Sequence, residues 1–272
     1  MRFDGVLLAS DFDGTLVPDD KRVTPEVRDA LRYFIENGGR FTVSTGRTFL
    51  GFHGYSPEYV NAPVLLANGG MLYDYEKREI LSFDGIGEEG IGVIRAVLRA
   101  FPGLAAELYP FERAYTLNMS PESERHISGQ GIPLVCAENP ADAPRPWAKA
   151  MFCGSEEEIV RVQDFLAEQC PEVSFIPSSG RFLEVQKKGV NKGEALLKLA
   201  DRLGIRREHV YAVGDGGNDL EMLRAARLSF VPENADARAL ARAGRVVRSN
   251  ENGAVANVVE LLDEIYRTEP AE

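Results

Sequence analysis

The sequence predicts an α/β protein, a Rossmann-like doubly wound parallel sheet with an α+β segment inserted into it. Three observations carry this. Short apolar runs recur at residues 6–10, 41–44, 64–67, 210–213 and 228–231, each too short for a helix and bounded by turn residues. Helical patterns stand between them, and such alternation implies a parallel sheet with helices on both faces. The alternation then lapses at about Asp84 and resumes after Asn191.

The first run, VLLAS, reads as a buried strand. Thr24-Pro25-Glu26 opens a helix with a capping hydroxyl, a proline at the first helical position and an acid in the first turn. Val27, Leu31, Phe34 and Ile35 give it one apolar face, and Asn37-Gly38-Gly39 ends it. Toward the other end, a strand at 210–213, a helix at 218–227, a strand at 228–231 and a closing helix at 254–266 are expected. Between them lie a helix at 88–100 and strands around 107–108, 114–118 and 148–153, with a loop carrying Pro140, Pro144 and Pro146. Ser155-Glu156-Glu157-Glu158 is a capping box that opens a helix to Glu168. The expected domains are a discontinuous core, 1–83 and 184–272, and an inserted α+β domain, 84–183.

Composition narrows the function. With 272 residues, 44% hydrophobic and 27% charged, the chain is of ordinary globular type. No signal-peptide pattern opens it and no run approaches the roughly 20 apolar residues of a membrane helix, so no membrane role is expected. Three cysteines without a CxxC pair fit a reducing cytoplasm. The three histidines are far apart and lack metal-ligand spacing. A net charge of −11 argues against nucleic acid as a partner. It also means that an anionic ligand needs a local cation, backbone amides or a metal to reverse the field.

Three motifs follow strands directly: Asp11-Phe12-Asp13-Gly14-Thr15-Leu16, Ser44-Thr45-Gly46-Arg47 and Gly214-Asp215-Gly216-Gly217-Asn218-Asp219. Ligands of open parallel sheets sit beyond the carboxyl ends of the strands at a topological switch point, so the motifs can share one crevice. Each alone could be a turn. A calcium loop is excluded, because counting from Asp11 or Asp215 puts neither glycine at the sixth position nor glutamate at the twelfth. No P-loop and no dinucleotide fingerprint follows a strand. Four converging carboxylates, Asp11, Asp13, Asp215 and Asp219, would repel one another. A hard dication with oxygen ligands, Mg²⁺, removes that conflict and bridges a phosphate.

With DFDGTL, STGR, the lysine of GVNKGEAL and GDGGNDLEML in this order, the chain resembles the haloacid dehalogenase superfamily of phosphatases, in its Cof-like branch with a type IIB cap. The likeness runs from Val6 to about Val259, and SSGRFLEV (178–185) looks like the family's return from cap to core. The resemblance implies a Mg²⁺-dependent phosphomonoester hydrolase for small phosphorylated metabolites, sugar phosphates foremost. Asp11 would be the nucleophile that carries an aspartyl phosphate, and Asp13 the general acid and base. The metal would be held by the Asp11 and Asp215 side chains and the Asp13 carbonyl, with Asp219 in support. Thr45, Gly46, Lys192 and Asn218 would hold phosphate, and Arg47 is a further candidate; Thr45 and Lys192 also count as catalytic. As alternatives, Lys192 could be a solvated helix-start lysine, Arg47 a surface residue and Asn218 an N-cap.

A phosphomutase is the competing activity, since phosphomannomutases resemble this core and cap, and a non-catalytic phosphate-binding regulator is a third reading. The expected state is a cytoplasmic monomer or small homo-oligomer. Two departures stand out. Relatives often carry glycine before Asn-Ala where this chain has Glu233-Asn234-Ala235, and Ala226-Arg227 replaces a usual Ala-Gly. Altered loop shape, with the chemistry intact, is expected there.

Overall fold

In the computed structural model, residues 1–55 and 59–268 are described. They fall into two compact units: one built of residues 1–46, 59–81 and 191–268, the other of Arg47–Tyr55 and Ser82–Val190.

The first unit is organised by a five-stranded sheet, all parallel, in the order Arg245–Val247, Leu228–Pro232, Val210–Val213, Leu7–Ser10, Arg40–Val43. Leu7 pairs with Val210 on one side and Arg40 on the other. The chain therefore leaves the central strand outward in one direction and returns on its opposite side, and the switch point lies between Leu7–Ser10 and Val210–Val213. Loops after these two strands and after Arg40–Val43 emerge together at one end of the sheet. Both central strands are buried throughout, as the unbroken apolar runs require. On one face, Leu7, Ala9, Val210 and Ala212 pack with Leu196, Leu199 and Ala200 of the Lys192–Leu203 helix.

Local signals did their expected work. The Pro25–Glu36 helix starts where Thr24 Oγ1 accepts from the Val27 amide (3.4 Å), and it buries Val27, Leu31 and Phe34. Two expectations change. The run at 64–67 does not extend the parallel sheet: Val64–Leu66 pairs antiparallel with Met71–Asp74, in a three-stranded sheet with Glu79–Phe83. A parallel bridge between Ser44 and Leu65 links it to the motif-bearing strand end. The expected 218–227 helix divides into a 3₁₀ turn, Gly217–Asp219, and a short helix, Leu220–Ala225.

The second unit holds a six-stranded sheet ordered Val173–Ser179, Phe182–Lys187, Lys149–Cys153, Ala105–Tyr109, Ala114–Leu117, Leu134–Cys136, antiparallel except for its last pair. One face packs Leu108, Ala150, Phe152 and Val185 against the Glu89–Ala100 and Glu156–Gln169 helices. The latter opens with the capping box: Ser155 Oγ accepts from the Glu158 amide (3.2 Å) while Glu158 accepts from the Ser155 amide (2.9 Å). The alternate residues of the same strands carry Glu107, Lys149 and Glu184, with Lys149 donating to Glu184 (2.8 Å). The SSGRFLEV stretch forms the bend of the Val173–Lys187 hairpin inside this unit, and the first unit resumes at Asn191.

Chain ends of the first unit are tied by Asp263 of the Ala254–Thr268 helix. It accepts from Tyr33 (2.6 Å), from Arg267 (2.5 Å) and from Arg2. Burial by itself would raise this carboxyl, but the three donors outweigh it and hold the pKa down at about 2. A carboxyl depressed in the fold stabilises above its unfolded pKa and loses that contribution as pH falls through the folded value. Asp263→Asn should therefore cost roughly 1 kcal/mol at neutral pH, the exposure of the pair having screened the full shift. In urea unfolding across pH, the gap from wild type should close between about pH 4 and pH 2; a gap independent of pH would show that the charge of Asp263 is not what stabilises.

Candidate active site

Asp11 is the first residue beyond the Leu7–Ser10 strand, and its amide donates to the Val213 carbonyl (2.9 Å) of the neighbouring strand. This one bond sets the first and third motifs side by side. Next, the chain turns back within four residues: the amides of Leu16 and Val17 both donate to the Phe12 carbonyl (3.1 Å each). Gly14 makes the turn possible. Its φ of +81° suits glycine, and a Cβ there would lie 2.6 Å from Asp215 Oδ2. Thr15 Oγ1 then donates to Asp215 Oδ1 (2.6 Å).

Lys192 begins the Lys192–Leu203 helix after Asn191, whose side chain caps it by accepting from the Glu194 amide (2.8 Å). Its ammonium is wholly buried, at 0% exposure, and donates to Asp11 Oδ1 (2.5 Å) and Asp219 Oδ1 (2.7 Å). The other oxygen of Asp219 accepts from the amides of Asp215 (3.1 Å) and Gly216 (2.9 Å). Asp219 thus fixes both the cation and the loop that bears Asp215. Of the residues singled out from sequence, Asp11, Asp215 and Asp219 bring carboxylate oxygens within 4.8 Å of one another.

The electrostatics follow from this crowding. Burial pushes the Asp11 carboxyl well above its usual range; Lys192 opposes that, while Asp219 and Asp215 add to it. Asp215 is raised by burial, against its hydrogen bond from Thr15 and with help from Asp219. Burial would lower Lys192, but Asp11 and Asp219 more than compensate and raise it above the ordinary lysine value. Three carboxylates share one ammonium, an imbalance that suits an oxygen-ligated divalent cation.

Other expected residues fall differently. The Asp13 carboxylate lies outside that trio and pairs with Lys21 (3.0 Å), a residue sequence reasoning passed over. Thr45 is buried, and its amide donates to the Leu65 carbonyl (2.9 Å). Asn218 donates to the Oδ1 of Asn68 (3.1 Å), the same oxygen that a Cβ on Gly46 would meet at 3.1 Å. Arg47 belongs to the second unit, where it donates to the Gly51 carbonyl (3.1 Å) and lies 4.9 Å from the Tyr55 ring centre. Lys21, Thr15 and Asn68 were the residues missed. Thr15 stood inside a recognised motif and Asn68 in an Asn-Gly turn signal, whereas nothing in sequence pointed to Lys21.

The loop departure at Glu233 is accommodated. Asn234 donates to the Gly14 carbonyl (2.8 Å) and accepts from the Asn250 amide (2.9 Å), and the Asp236 amide donates to the Asp215 carbonyl (2.9 Å). Neither Glu233 nor Arg227 has positive φ, so the glycines usual in relatives are not required here.

Lys192→Met should be strongly destabilising, by about 3–5 kcal/mol at neutral pH, because it strands two buried carboxylates. With its opposing cation gone, Asp11 is held still further above its unfolded pKa, so the deficit should be smallest in acid, where both proteins keep Asp11 protonated, and should grow once pH passes the already raised wild-type value. Equilibrium unfolding in EDTA measures this. A deficit that is flat with pH would mean that the lysine acts through packing alone.

Comparison with known proteins adds the family. The haloacid dehalogenase-like hydrolase family model matches residues 8–259. The HMP-PP phosphatase of Klebsiella pneumoniae is 29% identical, with 84% of each chain covered. The 5-amino-6-(5-phospho-D-ribitylamino)uracil phosphatase of Escherichia coli is 27% identical, with 93% of this chain and 94% of that one covered. A crystal structure of a haloacid dehalogenase-like hydrolase from Bacteroides thetaiotaomicron superposes with a TM-score of 0.84 over 94% of this chain and 99% of that chain, at 24% identity. Matched by its family from the first strand into the last helix, this chain belongs to the haloacid dehalogenase-like hydrolases and is an enzyme of the phosphatase type.

Proposed function

We propose that the enzyme hydrolyses small phosphomonoesters, sugar phosphates among them, through an aspartyl phosphate on Asp11. The observation that carries this reading is the buried Asp11 carboxylate, fixed by Lys192 at the carboxyl end of the central strand and flanked by Asp215. A carboxylate so placed is a nucleophile oriented in advance.

Asp11 attacks phosphorus, and the bond from phosphorus to the ester oxygen breaks. Asp13, on the turn above, gives its proton to the departing alkoxide. Water then attacks the phospho-aspartate and loses a proton to Asp13, which releases orthophosphate and restores Asp11. Thr45, the Gly46 amide and Asn218 hold the phosphoryl oxygens, with Lys192 oriented by Asp219. The carboxylates of Asp11 and Asp215 and the carbonyl of Asp13 would hold Mg²⁺, which would supply the charge neutralisation that lets an anionic ester approach these acids. Asp219, its oxygens engaged by Lys192 and two amides, acts mainly by orienting that set.

Support for the substrate class comes from the relatives' names, one of which specifies a phosphorylated ribitylamino compound. Residues 84–183 are assigned the selection among such esters, and Arg47, which belongs with that unit, is a candidate for it. The free cysteines Cys136, Cys153 and Cys170 favour a cytoplasmic setting. No helix among the described residues is long and apolar enough to cross a membrane.

EDTA should abolish hydrolysis and added Mg²⁺ restore it; activity that survives complete chelation would eliminate the metal. Asp11→Asn should still bind orthophosphate yet show no turnover. For Asp13, the expected loss on a sugar phosphate is about 10²- to 10⁴-fold, the usual worth of a positioned acid. p-Nitrophenolate leaves without a proton, so Asp13→Ala should keep a burst of it and accumulate acid-stable phosphoryl-enzyme. Equal slowing of phosphorylation for both esters would remove Asp13 from the acid role.

A further inference from the structure

Asn68 stands outside every motif that the proposed chemistry uses, yet it touches two of them. It lies in a 3₁₀ turn, Ala67–Gly69, that ends the Val64–Leu66 strand, and it is only 1% exposed. Both Ala67 (φ 49°) and Asn68 (φ 53°, ψ 31°) are left-handed. Such backbone is strained for a residue with a side chain unless its surroundings compensate, and glycine adopts it more readily.

The compensation is visible. The Asn68 amide donates to the Thr45 carbonyl (2.9 Å), and the Thr45 amide donates to Leu65 (2.9 Å), so the turn is zipped onto the end of the second motif. The carboxamide does something different. Its Oδ1 accepts from Asn218 Nδ2 (3.1 Å) in the third motif and packs directly over Gly46 of the second, 3.1 Å from where a Cβ would stand. If only the turn mattered, glycine would serve at this φ with less strain. The amide is what glycine lacks.

We propose that Asn68 is a positioning residue for phosphate: its carboxamide fixes the spacing and orientation of Asn218 and the Gly46 turn, the two donors that take phosphoryl oxygens from opposite motifs. This deepens the reading above and rests on it. It gives the third strand's loop a part in the site, through a residue that need not contact substrate. The side chain of Asn218, joined at one amide hydrogen to Asn68, keeps its second hydrogen for an anion.

The test uses the full-length enzyme with Mg²⁺ and orthophosphate as a competitive inhibitor of p-nitrophenyl phosphate hydrolysis. Asn68→Gly keeps the left-handed turn and deletes the carboxamide, so its thermal midpoint should stay near that of wild type. Its inhibition constant for orthophosphate should nevertheless rise by about tenfold, the worth of one hydrogen bond to a charged group. Asn218→Ala should weaken inhibition by a similar factor. The double variant should be no weaker than about the worse single one, because the two act as a unit. Wild-type inhibition in Asn68→Gly would reduce the residue to a turn former, and a double variant at the product of the two single effects would show that the side chains act separately; either result overturns the proposal. Wild-type enzyme that neither hydrolyses phosphoesters nor responds to orthophosphate would bring down the phosphatase chemistry itself, and this inference with it.

Discussion

A lysine ammonium with no exposure to water sits between two carboxylates at the end of the central sheet, and the arrangement around it follows from that burial. Taking such a charge out of water costs several kcal/mol, which only close, well-made contacts repay. Lys192 also occupies the first position of its helix, where the macrodipole disfavours a cation. Its docking therefore requires Asp11 on one side and Asp219 on the other, both at hydrogen-bonding distance. Asp219 in turn requires the amides of Asp215 and Gly216, and those require the turn that follows Val210–Val213. One charge thereby fixes the relative position of three segments that are far apart in sequence.

The sheet supplies what the lysine depends upon. Because Leu7–Ser10 and Val210–Val213 are parallel neighbours in register, their following loops leave from the same edge. The Asp11 amide bonded to the Val213 carbonyl is the last rung of that ladder. Beyond it the loops hold one another through side chains: Thr15 to Asp215, Asn234 to the Gly14 carbonyl, Asn250 to the Val17 carbonyl (3.1 Å). Gly14 and Gly214 are points where this mesh leaves no room for a Cβ. The Glu233-Asn234-Ala235 departure is tolerated because the loop's hold comes from the asparagine, and the preceding residue needs no left-handed backbone.

How legible this was depended on whether the signal was local. Thr24-Pro25-Glu26 and Ser155 to Glu158 carry their helix starts in four residues or fewer, and both appear where those residues put them. Ser120-Pro121-Glu122 has the same grammar and opens the Pro121–Gly129 helix, but this small helix passed unnoticed among longer patterns. The strand at 64–66 was legible as a strand and not by its partner. Its hairpin mate, Met71–Asp74, is buried at every position, so no alternation marked an antiparallel pair. At the site, the three strand-end motifs were readable because each follows a strand directly, whereas Lys192, at a helix start, was readable only through the family resemblance. Lys21 was not, since its pairing with Asp13 arises from a loop folding back; nor could spacing reveal that Arg47, adjacent to Gly46, belongs to the other unit.

An acidic chain that handles phosphate must set positive groups where the anion arrives, and the site's own charges show how far protein atoms go toward that. Lys192 is already committed on both sides, to Asp11 and to Asp219. Its field therefore goes largely into holding the acids in place. Burial and mutual repulsion still push the carboxyls of Asp11 and Asp215 above their ordinary range, so the lysine alone does not balance them. A protonated Asp11 would be a poor nucleophile, and an ionised trio would repel an ester dianion. A dication resolves both conflicts at once, by favouring the ionised acids and by offering charge to the ester. On the proposed chemistry, the demand for metal is thus set by the same buried lysine that organises the fold: it orders the carboxylates, and one ammonium shared with them does not by itself neutralise the substrate as well.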